Sequence, residues 1–165
     1  MAITRLNNNS ITSVTTLPSG IPTGKVLQCL QYTHTASFNT SSSSYVYTGV
    51  NCPPITLSST SNKALVMFSV CIHGNSGAYG TLEANFAVYQ TIGATTTSVE
   101  ENMSRFRTSA GGLTDATHII DRLVSPSTTS EITFKLYMKS LNGNPPYLNP
   151  NNSDKMTATV MEIAG

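Results

Sequence analysis

The residue types that could do chemistry are few in this chain, and none is spaced as catalysis or metal binding would require. His34, His73 and His118 form no HExxH, HxH or cysteine-flanked pattern. His118 could be combined on paper with Asp115, Asp121 and one of the 21 serines, but no GxSxG turn accompanies them. A catalytic triad is therefore not predicted, and we expect each histidine to be a hydrogen-bonded structural residue.

The carboxylates and thiols are no better placed for catalysis. Glu100 and Glu101 are adjacent, so on a strand they would point to opposite faces and could not flank one glycosidic bond. Cys29, Cys52 and Cys71 have no zinc-binding spacing. Cys29 and Cys71 fall in apolar segments, where a reduced thiol behaves as a small core residue. We predict no cofactor, no metal and no enzymatic activity.

Binding to phosphate, nucleic acid or membrane is disfavoured as well. Gly74, Gly77 and Gly80 recur every three residues without the GK[ST] of a phosphate loop, so we expect them in a turn. A net charge of +1 and a pI near 7.7 provide no basic surface for nucleic acid. The longest apolar stretch, 64–72, is far shorter than the roughly 20 residues of a membrane helix. Because the amino end also lacks a secretory pattern, we expect a soluble protein made in a cytosol.

The composition indicates which elements must position these residues. Charged residues make up 10% of the 165 residues, against about 25% in ordinary soluble domains. Serine, threonine and asparagine together supply 59 positions, so hydroxyls and amides replace lysine and glutamate at the surface. Threonine suits a pleated strand, whereas serine and asparagine suit turns. The composition and length therefore predict a single β-rich domain.

Short segments with alternating apolar residues recur after residue 24, separated by turn-rich segments. The segment 131–139 is the clearest, because four apolar residues alternate there with polar or amphipathic ones. Eight or nine strands at this spacing predict an antiparallel sandwich or barrel without a helix of normal length. The predicted strands are 25–32, 45–50, 55–57, 63–73, 82–90, a weaker element at 104–108, 117–124, 131–139 and 155–163.

The strand predicted at 63–73 is apolar on both faces. Its even-numbered residues from 64 to 72 are all apolar, and Leu65, Met67 and Cys71 make the opposite face largely apolar. In a two-layer sandwich a second buried face needs a cover, which is either a loop of the same subunit or a neighbouring subunit. Leu65, Met67 and Cys71 are therefore candidate residues of a subunit interface.

The first 28 residues form a long, nearly uncharged segment that is rich in proline and glycine. Its apolar residues follow neither a strand period nor a helix period. A disordered tail is one interpretation; the other is an arm buried along a partner's surface, which the scarcity of charge favours. We predict an anchoring arm and linker at 1–24 and a β-sandwich domain at 25–165. The candidate docking residues of the arm are Ile3, Arg5, Leu6, Ile11, Val14 and Leu17.

Six segments, in order along nearly the whole chain, carry a resemblance to a known family. They are MAITRLNNNSITSVT, LPSGIPTGKVLQ, TSSSSYVYTGV, LSSTSNKALVMFSV, RLVSPSTTSEITFKLYMK and TATVMEIAG. In these segments the chain resembles short virion appendage proteins of tailed bacteriophages, especially of marine phages and cyanophages, of the tail-fibre or capsid-decoration kind. Segments 51–54 and 145–150 depart from the family's pattern, so a shared receptor is not implied.

The resemblance implies a jelly-roll-like antiparallel β-sandwich with an extended N-terminal arm, commonly trimeric, whose arm docks on the virion and whose distal loops face outward. It implies capsid, portal, tail or fibre proteins as partners, and localisation in the virion after assembly in the host's bacterial cytoplasm. The predicted function is thus that of a non-enzymatic virion structural protein, attached to the tail or the capsid, which can also serve attachment to a host surface.

Two alternatives belong to other classes of protein. One is a carbohydrate-binding module that recognises host glycans, for which Tyr79, Tyr89 and Tyr147 are candidate platforms, although the chain has no tryptophan. The other is a small secreted hydrolase, which would need both a signal sequence and a catalytic constellation.

Overall fold

The computed structural model describes residues 25–75, 81–108, 113–150 and 154–165, and all regular secondary structure within these ranges is β-strand. No helix that could cross a membrane is found in this part of the chain. The strands are β1 (Val26–His34), β2 (Phe38–Asn39), β3 (Val46–Asn51), β4 (Lys63–Asn75), β5 (Glu83–Ile92), β6 (Thr95–Arg107), β7 (Leu113–Val124), β8 (Ile132–Ser140), β9 (Tyr147–Leu148) and β10 (Met156–Ile163).

The eight long strands form two antiparallel sheets in jelly-roll order. The first sheet has the order β1-β10-β4-β7, and the second has the order β3-β8-β5-β6. Most neighbours in space are therefore distant along the chain, as two interlocked Greek keys require. The short strands β2 and β9 extend the first sheet, because β9 pairs with β2 and with Ile72 and His73 of β4. The predicted jelly-roll-like sandwich is confirmed.

The core lies between the two sheets and consists of alternate residues of each strand. In β8 every even-numbered residue is buried and every odd-numbered residue is only partly buried. In β4 the even-numbered face is fully buried, as predicted. A slip of one residue would carry such a face into solvent, so the register is strongly specified. The largest fully buried side chains are Phe68, Phe86, Phe134, Ile55, Leu57, Ile72, Leu82, Ile132, Leu136, Met138, Leu148 and Met156.

Several elements differ from the sequence-based prediction, in which β2 is absent and β7 begins at 117 rather than at Leu113. Strand β6 begins at Thr95 rather than near Ser104, because its hydroxyl-rich first half shows no apolar alternation and is held by pairing with β5. The turn between them has Gly93 at a φ of +58°. Strand β9 lies within the segment 140–153 that is predicted as a loop, since two residues leave no periodic pattern. The strand predicted at 55–57 is a single bridge at Ile55.

Gly74 lies inside β4, although the sequence predicts it in a turn with Gly77 and Gly80, which are outside the described residues. A side-chain carbon at Gly74 would lie 2.5 Å from Cγ2 of Thr108 and 3.1 Å from Cδ1 of Leu82. Glycine is therefore needed because neighbouring side chains already fill the space, rather than because the chain turns there.

Replacing this glycine is expected to destabilise the fold. Gly74→Ala should lower the free energy of unfolding by about 1 to 3 kcal/mol through overpacking. Thr108→Ser keeps the hydroxyl that accepts a hydrogen bond from the backbone N–H of Leu82 at 3.0 Å and removes the clashing methyl group. In urea denaturation the double variant should therefore recover part of the loss. If the losses in free energy of unfolding of the two single variants simply add in the double variant, this explanation is contradicted.

Candidate functional site

The outer face of the first sheet carries a row of apolar side chains. Cys29 of β1 is the cross-strand neighbour of Met161 in β10, and Met161 is the neighbour of Leu65 in β4. Leu65 is in turn the neighbour of Leu123 in β7. Because side chains alternate between the faces of a strand, these four point away from the core. We call them the apolar row; it crosses the full width of the sheet.

Further aliphatic side chains are exposed beside the apolar row. Leu123 itself is 50% exposed, and Ile119, four residues earlier on β7, is 61% exposed. Val26 and Leu27 at the start of β1 are also exposed. Val26 lies at the β1 edge of the sheet and Leu123 at the β7 edge, and Asp121 lies between Ile119 and Leu123 on the same face. Single exposed aliphatic residues are ordinary, but here the apolar row connects the two edges, and a connected apolar group is typical of an interaction surface.

The three candidate interface residues all lie on this outer face. Met67 is 36% exposed, while Leu65 and Cys71 are partly buried. Both faces of β4 are therefore apolar, as predicted, but only the inner face is fully covered within the described part of the chain. Whether another subunit covers the outer face stays a prediction.

The cysteines are arranged differently from the prediction. Cys29 is exposed in the apolar row rather than buried, because its position on β1 alternates away from the core. Cys71 is partly buried on the same face, where burial and a hydrogen bond with Asp154 raise the pKa of its thiol to about 11. Cys52 is the thiol in the core, and burial raises its pKa to about 12. Cys52 and Cys71 are therefore protonated and unreactive at neutral pH.

A buried carboxylate holds together one end of the first sheet. Glu162 of β10 is only 1% exposed. Its Oε1 accepts hydrogen bonds from the backbone N–H of Ser58 at 2.6 Å, from Oγ of Ser58 at 2.7 Å and from Nδ2 of Asn62 at 2.6 Å. Its Oε2 accepts one from Nε2 of Gln28 at 2.7 Å. Burial alone would raise the pKa of Glu162, but these hydrogen bonds outweigh it and lower the pKa to about 2.

Glu162→Gln is expected to destabilise the fold at neutral pH by about 3 kcal/mol, because the amide cannot accept all of these charge-assisted hydrogen bonds. In the native protein the pKa is depressed relative to 4.5 in the unfolded chain. The stabilisation is therefore fully present above pH 4.5 and is lost as the pH falls towards 2. Urea denaturation of both proteins between pH 7 and pH 2 measures their free energies of unfolding. The difference between these free energies should shrink as the pH falls from 4.5 towards 2. A difference that does not depend on pH would contradict the role of the charge.

The outer face of the second sheet carries a cluster of four tyrosines. Tyr137 of β8 is central, with its ring centre 4.1 Å from that of Tyr89 in β5 and 5.6 Å from that of Tyr47 in β3. Tyr45, which directly precedes β3, lies 6.4 Å from Tyr89 between ring centres. All four rings are partly buried. We call these four residues the tyrosine cluster.

The hydroxyls of three cluster members are held by hydrogen bonds within the protein. Tyr45 donates to Oδ1 of Asn102 at 3.1 Å, Tyr47 donates to Oδ1 of Asn51 at 2.9 Å, and Tyr89 donates to Oε1 of Glu101 at 2.7 Å. Burial and the hydrogen bond with Glu101 raise the pKa of Tyr89 to about 12. Burial and then the proximity of Tyr137 raise the pKa of Tyr47. Both hydroxyls are therefore hydrogen-bond donors at neutral pH.

Two lysines accompany the tyrosine cluster. Nζ of Lys139 lies 4.3 Å from the nearest tyrosine ring centre, and Nζ of Lys135 lies 5.6 Å from another. Neither ammonium group has a carboxylate partner among the described residues. By contrast, Arg105 and Arg107 on the same face both contact Glu83. Within the described part of the chain, these two lysines are thus the cations of this face that have no ion-pair partner.

The structure brings a serine to His118 but neither of the two aspartates that a catalytic triad would need. Nε2 of His118 is hydrogen-bonded to Oγ of Ser104, and burial lowers the pKa of this imidazole. Asp115 and Asp121 occupy odd-numbered positions of β7, whose side chains point to the opposite face from His118. Asp115 instead contacts Nδ1 of His73. The carboxylate that would orient the ring of His118 is therefore not supplied by either aspartate.

The adjacent glutamates contact different elements. Glu100 forms an ion pair with Nη2 of Arg122 at 2.6 Å on β7, whereas Glu101 accepts a hydrogen bond from Tyr89 on β5. Adjacent residues of a strand point to opposite faces, and these two carboxylates accordingly contact different strands. In the described ranges no group of three histidine, cysteine or carboxylate side chains could hold a metal ion.

Of the remaining candidate contact residues, the described part of the chain includes Tyr147 alone. Tyr79 and the candidate docking residues of the arm at 1–24 lie outside the described residues. Tyr147 lies on β9, where it is partly buried and pairs with His73. It is thus on the first sheet and separate from the tyrosine cluster.

The tyrosine cluster was only partly visible in the sequence. Tyr89 is a candidate there, but Tyr45, Tyr47 and Tyr137 are not. Tyr45 and Tyr47 are spaced by two at the predicted strand 45–50, and Tyr137 lies on the polar face of 131–139. These spacings place each ring on a face, but the jelly-roll order is needed to bring the three strands together.

No protein-family model matches the chain, and no curated protein matches it. Among solved structures, the fold of this chain is similar to a chain in the structure of infectious bursal disease virus Gx strain. The two are 13% identical, with a TM-score of 0.37, and the match covers 82% of this chain and 40% of that chain. The fold is also similar to a chain in the structure of the Gt strain, with 12% identity and a TM-score of 0.36 over 99% and 54% of the two chains. The chain thus spans 40% and 54% of the lengths of these two proteins. The jelly-roll assignment rests on the strand order described above.

Proposed function

We propose that this chain is a non-enzymatic structural protein of a bacteriophage particle, of the tail-fibre or capsid-decoration type. In this proposal it assembles as a homotrimer and docks on the particle through residues 1–24. The observation that carries the proposal is the apolar row on the outside of the first sheet, together with the exposed aliphatic residues beside it. The resemblance of six sequence segments to phage appendage proteins supports the choice of particle.

The apolar row favours self-assembly for a physical reason. Covering one large aliphatic side chain contributes about 1.5 to 3 kcal/mol, so several of them can hold subunits together. Leu65, Leu123 and Ile119 lie on neighbouring strands and would be covered by one contact. A second copy of the chain is the partner that is always present at the same concentration. In a ring of three such a contact is heterologous, with this face meeting a different surface of the next subunit.

Strand β1 contributes to the apolar row and also follows the arm in the sequence. Strand β1 is the edge strand of the first sheet and contributes Cys29 to the apolar row. The arm is joined to β1 through Lys25, so each of three copies would contribute one arm near the assembled face. Three arms that bind one particle together gain affinity through effective concentration, without any new contact.

The oligomeric state of the purified full chain tests the self-assembly directly. Light scattering coupled to size exclusion should give about three times 17.6 kDa at micromolar concentration. A monomer would refute self-assembly through the first sheet. A dimer would retain the covered face but would contradict the trimer that the resemblance implies.

A further inference from the structure

The outer face of the second sheet is a continuous polar and aromatic surface along β8. Thr133, Lys135, Tyr137 and Lys139 are its outward residues on that strand, and each is partly buried. From Thr133 to Lys139 they extend roughly 20 Å at about 3.3 Å per residue. The surface continues beyond Thr133 into an open depression of about 400 Å³. This depression is lined by Thr91, Ile92, Gly93, Ser130, Glu131 and Thr133.

We propose that this face binds an acidic glycan, with the tyrosine cluster as the platform and Lys135 and Lys139 as the groups that contact its anionic substituents. The proposed binding surface lies within a single copy of the chain, so it depends neither on the proposed trimer nor on the arm.

The tyrosine cluster has the chemistry that a sugar ring requires. A sugar presents apolar C–H groups on its faces and hydroxyls around its rim, and a tyrosine presents an apolar ring with a polar tip. Amide groups border the rings: Nδ2 of Asn85 donates to Oδ1 of Asn102 at 2.7 Å, and Asn51 accepts from Tyr47. Hydroxyls of Thr91 and Thr133 line the depression at the end of the surface.

The platform is already fixed before a ligand binds. The hydroxyls of Tyr45, Tyr47 and Tyr89 are hydrogen-bonded to neighbouring side chains. Tyr137 lies between Tyr47 and Tyr89, and its hydroxyl has no hydrogen-bond partner among the described residues. Three tyrosines thus hold the surface in place and the central one can donate to a ligand. Because few side chains need to be ordered on binding, the entropic cost of association is reduced.

The unpaired lysines determine which glycans fit. Arg105 and Arg107 share Glu83, whereas Lys135 and Lys139 lie against tyrosine rings with no carboxylate partner in the described chain. They are four residues apart on one strand, so their Cα atoms are separated by roughly 13 Å. Two cations at this separation match an extended chain that carries repeated carboxylate or sulfate groups.

Single-stranded nucleic acid is the other polymer that combines anionic charge with stacking. Its bases stack individually on aromatic rings and need open ring faces. The ring centres of Tyr89 and Tyr137 are 4.1 Å apart at an angle of 30°, so the facing sides of these two rings are covered for a base and for a sugar alike. The number of cations is what distinguishes the two polymers. A nucleic acid carries one phosphate per nucleotide and binds through many phosphate contacts, whereas this face offers two unpaired lysines. Few, widely separated cations therefore favour the acidic glycan.

Biolayer interferometry on the full chain tests the proposal with four immobilised probes. These are polygalacturonate and dextran sulfate as acidic glycans, neutral dextran as the uncharged control, and a thymidine 20-mer as the nucleic acid. We expect binding to at least one acidic glycan, at least tenfold weaker binding to neutral dextran and to the oligonucleotide, and loss of the signal at high salt. Absence of binding to both acidic glycans, or tighter binding to the oligonucleotide, would overturn the proposal.

Matched variants assign the binding to this face. Lys135→Gln with Lys139→Gln should weaken binding to the acidic glycan at least tenfold, whereas Lys63→Gln with Lys155→Gln removes the same charge elsewhere and should change it less than twofold. Tyr137→Phe removes one hydroxyl and keeps the ring, so it should weaken binding several-fold while the melting temperature stays unchanged. Equal losses in the two lysine pairs would show that only net charge matters and would refute the site.

Discussion

Leu65→Lys combined with Leu123→Lys is expected to convert the proposed trimer into a folded monomer. The two residues are cross-strand neighbours in the apolar row, so each subunit would place two like charges on the surface that must be covered. Because Leu65 is already partly buried and Leu123 is 50% exposed, losing these two aliphatic contacts costs about 1.5 to 3 kcal/mol per interface, which weakens association roughly 10- to 150-fold, and burying the two ammonium groups adds a further cost. Light scattering at micromolar concentration should then give a mass near 17.6 kDa.

The matched control for this variant is Thr95→Lys with Thr97→Lys. Both residues are exposed on β6 of the second sheet, and the substitutions add the same charge. This control should remain trimeric, and near-UV circular dichroism should show native packing in both double variants. If the first variant stays trimeric, or if both become monomeric, the apolar row is not the subunit interface.

Deletion of residues 1–24 is expected to abolish incorporation into phage particles while leaving the melting temperature and the oligomeric state unchanged. The reason is that Ile3, Leu6 and Leu17 would gain apolar burial only against the particle, at roughly 25 cal/mol per Å². Ordering so long an arm costs conformational entropy, so the proposed docking would rely on several such contacts and on three arms acting together. Quantitative mass spectrometry of purified particles measures the incorporation.

A point variant separates apolar contact from mere length of the arm. Leu6→Asp with Leu17→Asp should reduce incorporation strongly, whereas Asn7→Asp with Asn9→Asp adds the same charge without removing an apolar group and should not. Both proteins should melt at the temperature of the original chain. Aggregation of the truncated protein, or a much lower melting temperature, would mean that the arm belongs to the fold, and the boundary at residue 24 would be wrong.

The sequence carries most of the fold because each long strand with one buried face has a period of two. Strand β8 is recognised from its alternation, and β4 from two apolar faces. The first half of β6 lacks this information, since TTTSVEEN is mostly exposed and is held by pairing with β5. Gly74 is assigned wrongly for a related reason. The sequence does not distinguish a glycine that is needed because Thr108 leaves no room for a side chain from a glycine that is needed in a turn.

The candidate surfaces are less readable than the strands because they combine residues from several strands. Leu65 is recognisable as outward and apolar, but its neighbours Met161 and Leu123 are assigned only once the strand order is known. Tyr137 and Tyr47 likewise meet through pairing of β3 with β8, which joins residues 90 positions apart in the sequence. Periodicity places a side chain on a face, whereas pairing decides what lies beside it.

The central claim is that this chain is a structural component of a phage particle, and its most direct test is to locate the protein on purified particles. Electron microscopy with gold-labelled antibodies against residues 25–165 should show label at fixed positions on the tail or on the capsid of particles from infected cells. Particles that carry no label, with the protein recovered only in the soluble fraction of the lysate, would contradict the claim.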